Sequence, residues 1–151
     1  MSGEMNSRIK WLSDLIRLEI VLWDRIDGRL KAEHDLPLSF FETLYFISRA
    51  RQQSMRVGEL AEALGITVGG ASKVVDRIEE AGLIARIADS DRRASRIVLT
   101  AVGKDVFERA SKTYETELGA LLDATFSPQS QQEIHRLVLQ LLTAANPNRL
   151  D

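Results

Sequence analysis

The stretch from Ile66 to Thr100 constrains this chain more than any other: it reads as a short helix followed by a hairpin with a cationic tip. Over Thr67–Ala81, Ala71, Val74, Val75 and Ile78 recur at three- and four-residue intervals, the spacing of an amphipathic helix. Thr67 is placed to cap the first turn with its hydroxyl, and Gly82 to end the helix in the left-handed conformation. The opposite face carries Gly69, Ser72, Lys73 and Asp76, with Gly70 and Arg77 beside it. These small or hydrogen-bonding groups suit close approach to another polar surface. Two β-prone runs follow, 83–88 and 95–99, joined by the turn-forming Asp89-Ser90-Asp91-Arg92-Arg93. That order is the layout of a winged helix. Its helix fits a DNA major groove, and its arginine tip can reach the neighbouring minor groove.

The flanks agree with this reading. Val57–Leu64 predicts a helix with Leu60, Ala61 and Leu64 facing inward, stopped by Gly65. Helix, Gly65-Ile66-Thr67 turn and helix together make a helix-turn-helix. Ser39-Phe40-Phe41-Glu42 reads as a capping box that starts an earlier helix running to about Ala50. At the N-terminal end, Ile9 to Lys31 predicts a long helix whose apolar residues cover more than one stripe, weakened at Gly28 and ended by Pro37. A surface helix needs only one stripe, so this one is expected to face both its own core and a partner chain. Thr100 and Ser127-Pro128 are start signals for two further helices, the last with Ile134, Leu137, Val138, Leu141 and Leu142 at heptad-like spacing.

The expected fold is therefore mainly α, with six helices and one hairpin. A winged helix-turn-helix lobe spans 37–100, and dimerisation helices span 5–34 and 103–146 of a single 151-residue chain. The terminal helices are expected to interlock in a homodimer.

Bulk composition narrows the function. At 44% hydrophobic the chain can bury a proper core. It has no cysteine, which excludes disulfides, thiolate metal sites and thiol redox sensing. A net charge of −2 argues against indiscriminate coating of nucleic acid. A specific reader needs only a local field, and Arg86, Arg92, Arg93 and Arg96 outweigh Asp89 and Asp91 across the hairpin. No apolar run is long enough to cross a bilayer, so no membrane partner is expected, and the N-terminus lacks a signal-peptide layout, so the cytoplasm is the expected location. There is no Gly-x-Ser-x-Gly elbow, phosphate loop or His-Glu-x-x-His, so no enzyme is expected. Two distant histidines, His34 and His135, make neither a metal site nor any other cofactor site expected.

The hairpin sequence Asp91-Arg92-Arg93-Ala94-Ser95-Arg96-Ile97-Val98-Leu99-Thr100 resembles the wing signature of the MarR-type (multiple-antibiotic-resistance regulator) winged-helix repressors. Gly103 stands at that family's usual glycine position. Residues 57–66 are similar to the helix before the family's recognition helix, and residues 75–84 to its exit into the wing. The specific motifs cover about 57–103, while the terminal helices match by pattern alone. Ala101 replaces a proline often seen there, and Gly69-Gly70 stand where many members carry larger polar residues.

The resemblance implies a dimer that binds double-stranded operator DNA, usually as a repressor released by a small ligand. It implies that Arg93 enters the minor groove beside Arg92 and Arg96, with Asp91 shaping the tip. Ser72, Lys73 and Arg77 would lie on the major groove or its flanking phosphates. Thr67 would assist base reading, Gly69 and Gly70 would allow either close backbone approach to DNA or a first turn that orders on binding, and Arg56 would hold a phosphate. Trp11, Phe41 and Tyr45 have two open readings. They pack the core and dimer, or they line a pocket for an aromatic, phenolic or other amphipathic acid effector, with His34 or Arg49 meeting its carboxylate. The rival function is a winged-helix module used for protein contact, which would lack salt-dependent DNA binding.

Overall fold

The core that closes the helix-turn-helix lobe draws on side chains from Ile26 at one end of the chain to Ala110 near the other. The computed structural model describes residues 2–90 and 94–146, with side chains from Ser7 onward. Among those residues it has six α-helices and a three-stranded antiparallel sheet. In chain order they are α1 (Ser2–His34), α2 (Leu38–Arg49), β1 (Ser54–Met55), α3 (Val57–Leu64) and α4 (Val68–Glu80). Then come β2 (Ile84–Ala88), β3 (Ser95–Leu99), α5 (Ala101–Thr125) and α6 (Pro128–Ala145). The fold is mainly helical with a winged helix-turn-helix at its centre.

Helix α1 is longer than expected and runs straight through Gly28. A glycine costs a helix only about 0.5–1 kcal/mol, which neighbouring contacts offset. Arg29–Glu33 and Lys31–Asp27 pair one turn apart, and Arg25 and Arg29 both reach Glu117 on α5. The helix ends where Asp35 turns left-handed at φ 50°.

Helix α2 corrects the capping-box reading. Its N-cap is Pro37, with no side-chain cap, and Ser39 lies inside the first turn. The amide of Leu38 donates instead to Asp27 Oδ1 at 2.9 Å, a carboxylate supplied by α1. A tertiary cap has replaced the local one, which leaves Glu42 with no backbone group to cap.

After α2, a 3-10 turn at Arg51–Gln53 holds Gln52 and Gln53 at φ 58° and 51° and turns the chain into β1. This two-residue strand was not expected from the sequence. It pairs with β3 (Ser54 opposite Val98), giving the order β1-β3-β2, and β2 pairs with β3 from Ile84–Leu99 to Ala88–Ser95.

Leu44 and Ile47 of α2, Leu60 of α3, Val75 and Ile78 of α4, and Ile84 and Ile97 of the sheet are fully buried together. Phe41 packs its ring on Phe107 at 5.1 Å and on Tyr114 at 5.0 Å, joining the lobe to α5. Truncating a side chain such as Leu44 to alanine would cost about 2–5 kcal/mol. The outer apolar residues of the terminal helices are in contrast exposed: Trp11 and Leu15 on α1, and Leu137, Val138 and Leu141 on α6. Among the described residues, no helix is long and apolar enough to cross a membrane.

Candidate nucleic-acid interface

Helix α4 is fixed at both ends by backbone chemistry written in its sequence. At its start the Thr67 hydroxyl accepts the Gly70 amide at 3.0 Å, as expected of an N-cap. At its end Gly82 adopts φ 80°, its amide donates to Glu79 O, and the amide of Leu83 donates to Ile78 O. This is a Schellman closure, sealed by the contact of two buried apolar residues, and it sends the chain directly into β2. Gly65 closes α3 in the same way at φ 69°. Between these caps Ala71, Val75 and Ile78 are buried, while Thr67, Gly69, Lys73, Asp76 and Arg77 are exposed and Gly70 and Ser72 half-buried.

The two glycines differ. A Cβ on Gly70 would sit 3.2 Å from Thr67 Oγ1, crowding the cap. A Cβ on Gly69 would meet nothing within 4 Å. No contact within the described chain requires a glycine at position 69.

Charge is distributed differently from the sequence expectation. Arg86, counted there with the basic hairpin, lies over α4 and donates to Asp76 at 2.7 Å and Glu79 at 3.1 Å. The Asp76 hydrogen bond, followed by the charge of Glu79, holds its guanidinium even more firmly protonated than usual. Arg86 thereby offsets part of the acidic charge of this helix, so that Lys73, Arg77 and Arg86 together balance Asp76, Glu79 and Glu80.

At the base of the wing, Asp89 faces inward, its side chain 8% exposed. One of its carboxylate oxygens accepts Arg56 Nε at 2.8 Å and pairs with Arg56 Nη2 at 2.6 Å; the other accepts the Ser90 amide at 2.7 Å. The Arg56 hydrogen bond, joined by that of Ser90, holds this carboxyl below the usual aspartate range. Arg96 donates to Ser54 Oγ at 2.8 Å and to Ser54 O at 3.2 Å, and its charge lies 3.9 Å from Asp89. Arg96 therefore ties β3 to β1 rather than standing at the tip. Arg56, at the N-cap of α3, ties that helix to the wing. Asp91, Arg92 and Arg93, the expected tip, lie outside the described residues. The sequence marks Asp89 only as a turn residue; no local signal names its partner, because Arg56 is 33 positions away.

Residues 34–94 match the model of the MarR family. That stretch is similar to the winged helix-turn-helix of the MarR family. The fold as a whole is similar to Sco3205, a MarR family transcriptional regulator from Streptomyces coelicolor solved in complex with DNA. That likeness has TM-score 0.80 and 22% identity over 93% of this chain and 92% of that one. AbsC, another MarR family regulator from Streptomyces coelicolor, is similar at TM-score 0.79 and 20% identity, over 93% and 95% of the two chains. MepR of S. aureus, in its DNA complex, is similar at TM-score 0.73 and 21% identity, over 89% and 96%.

The effector residues expected from the resemblance to the MarR family are not gathered at one place. Phe41 is buried in the ring stack, and Trp11 stands exposed far out on α1. His34 Nε2 lies 2.7 Å from the Thr113 hydroxyl on α5. Tyr45 packs edge-on to Phe46 and carries the Arg49 guanidinium 5.7 Å above its ring, at the surface. None of the five lines the large apolar cavity, of about 880 Å³, that lies among α1, α2, α5 and α6. Its walls include Trp23, Glu42, Tyr114 and Leu118. The spacing of aromatic residues along α1 and α2 showed which rings could share a helix face, but not which face the remaining helices would leave open.

Proposed function

We propose that this MarR-type protein is a homodimeric DNA-binding regulator that represses a near-palindromic operator and lets go of it when a small effector binds. One observation carries the reading: a recognition helix capped at both ends turns its polar face outward beside a hairpin whose base is locked by Asp89. Two such helices, carried about one helical turn of DNA apart by a two-fold dimer, would enter successive major grooves. Thr67, Ser72 and Lys73 are the candidates for base edges, Arg77 for a phosphate and Arg93 for a narrow minor groove. Arg56 and Arg96 act in this scheme mainly by aiming the wing. The dimer reading is supported by the exposed apolar residues of α1 and α6, which are too many and too regularly spaced for a solvated surface. DNA-bound Sco3205 and MepR, which share the fold, support the choice of partner. Release follows if an effector favours a dimer geometry whose two lobes no longer match both grooves.

The test is a titration of the dimer against the DNA flanking its own gene, with unrelated competitor, at two salt concentrations. Protection of a palindromic segment, with affinity falling as salt rises, supports the reading. Failure to select any DNA, with co-purified ligand excluded, makes a protein-contact module the better account.

A further inference from the structure

We propose that the effector is a hydrophobic organic cation, held in the apolar groove among α1, α2, α5 and α6 with Glu42 as its counter-charge. This deepens, and rests on, the effector-released reading above. The groove encloses about 880 Å³, within the range of small-molecule sites, and is walled by such residues as Leu22, Trp23, Leu118 and Leu122. Its charged or titratable lining groups are Glu19, Glu42, Tyr114 and His135; neither lysine nor arginine is among them. Ile26 and Leu38, at the inner end with Glu42, are buried, whereas Leu15 and Val138 at the rim are exposed. The rim residues Leu15 and Val138 belong to the exposed apolar faces of α1 and α6 that the proposed dimer would cover.

Glu42 is the group that selects the charge. It is half-buried on α2, and its expected capping role is filled by Asp27 from α1. Among the described residues it makes no hydrogen bond or ion pair. Burial pushes its carboxyl above the usual glutamate range, and its charge in turn helps to raise the Tyr114 phenol. An anionic ligand would lose its hydration here, meet no lysine or arginine and be repelled by Glu42. A neutral one would leave the carboxylate desolvated and unpaired. A cation with an apolar body pairs the carboxylate and covers the apolar wall at once. A bare metal ion is poorly served, because no cluster of metal-ligating side chains occurs among the described residues. The acid effector suggested by family resemblance needs Arg49 or His34, and neither lines this groove.

The experiment is calorimetry of the intact protein at neutral pH with three probes of one shape: 1-naphthylmethylammonium, 1-naphthylmethanol and 1-naphthoate. The ammonium is expected to bind at least about tenfold more tightly than the carboxylate, a margin of about 1.4 kcal/mol. Glu42→Gln should abolish that margin and leave the alcohol unchanged, while Glu19→Gln should preserve it. Equal or tighter binding of naphthoate, a margin that survives Glu42→Gln, or no ammonium binding at millimolar concentration overturns the proposal. Should Glu42→Gln not fold, the ratio on the unmodified protein decides. Operator binding measured on the same samples separates the two readings. Glu42-dependent ammonium binding without DNA release keeps the site and sinks the effector reading. DNA release by naphthoate, indifferent to Glu42, does the reverse.

Discussion

Gly103 opens α5 against the point where α4 hands over to β2, and the substitution Gly103→Ala tests whether that junction holds the lobe to its terminal helices. An added Cβ would stand 1.9 Å from Leu83 O and 2.8 Å from Leu83 C, backbone atoms that cannot rotate aside. Relief requires α5 and β2 to separate by about 1 Å, since carbon–oxygen contacts below about 3.0 Å are essentially never tolerated. Leu83 O also accepts the Thr100 amide at 3.0 Å, and the Thr100 hydroxyl both donates to Gly82 O at 2.7 Å and caps Gly103. Separation thus loses about 1 kcal/mol for the backbone hydrogen bond and about 1 kcal/mol for the cap. Strain left in a tight site adds about 1–3 kcal/mol. The expected loss is about 3–5 kcal/mol, a large part of the roughly 5–15 kcal/mol that holds a typical domain folded. The melting point should fall by roughly 10 °C. Calorimetry and urea unfolding at one fixed protomer concentration measure it, because dimerisation makes both depend on concentration. Gly58→Ala, where a Cβ meets nothing within 4 Å, is the control and should be neutral or stabilising. A loss below about 1 kcal/mol for Gly103→Ala would falsify the reasoning.

Gly69→Ala should stabilise the lobe by up to about 0.5–1 kcal/mol in urea yet weaken operator binding severalfold in a fluorescence titration. If affinity is retained, the glycine is not there for DNA approach. Arg86→Met uncovers Asp76 and Glu79 on the recognition helix, so operator affinity should fall, and the defect should shrink as salt screens the repulsion. A salt-independent defect would point to misfolding of the α4–β2 junction instead. Glu42 supplies a pH signature: its folded carboxyl titrates above the ordinary value of 4.5, so the folded state binds the proton more tightly. The resulting stability is present below about 4.5 and is lost as pH rises through the folded value, and Glu42→Gln should flatten that part of the stability–pH curve.

What was legible in the sequence was local. Thr67, Gly65 and Gly82 each act on a backbone group within a few residues, so the caps and bounds of α3 and α4 followed directly from the residues. What was not legible was set by partners far along the chain. Strand β1 exists only because β3 offers it an edge, and two residues carry no periodicity of their own. Asp27 outcompeted Ser39 for the start of α2 across eleven residues, a choice no capping motif can anticipate. The hairpin arginines looked alike as letters; Arg86 and Arg96 were sorted from the rest by Asp76, Glu79, Asp89 and Ser54. Gly103 was visible as a family position, but its reason, the carbonyl of Leu83, was not.

That sorting sets how strongly salt should act on DNA binding. Sequence alone offers Arg56, Lys73, Arg77, Arg86, Arg92, Arg93 and Arg96 as seven cations around the interface. Three of these, Arg56, Arg86 and Arg96, are engaged by carboxylates of the protein itself, which already serve as their counter-ions. A cation neutralised in the free protein displaces little from the DNA when it binds. Lys73 and Arg77, with Arg92 and Arg93 counted from the sequence, are then taken as the four cations of each lobe that release condensed cations. Each phosphate neutralised contributes about −0.9 to the slope of log affinity against log salt, so a dimer using these four per lobe should show a slope of about −7. Were all seven to act, it would approach −13 on the same basis. A measured slope beyond about −10 would mean that DNA pulls the three arginines from Asp89, Asp76 and Glu79, and that the wing is rebuilt on binding rather than held ready for it.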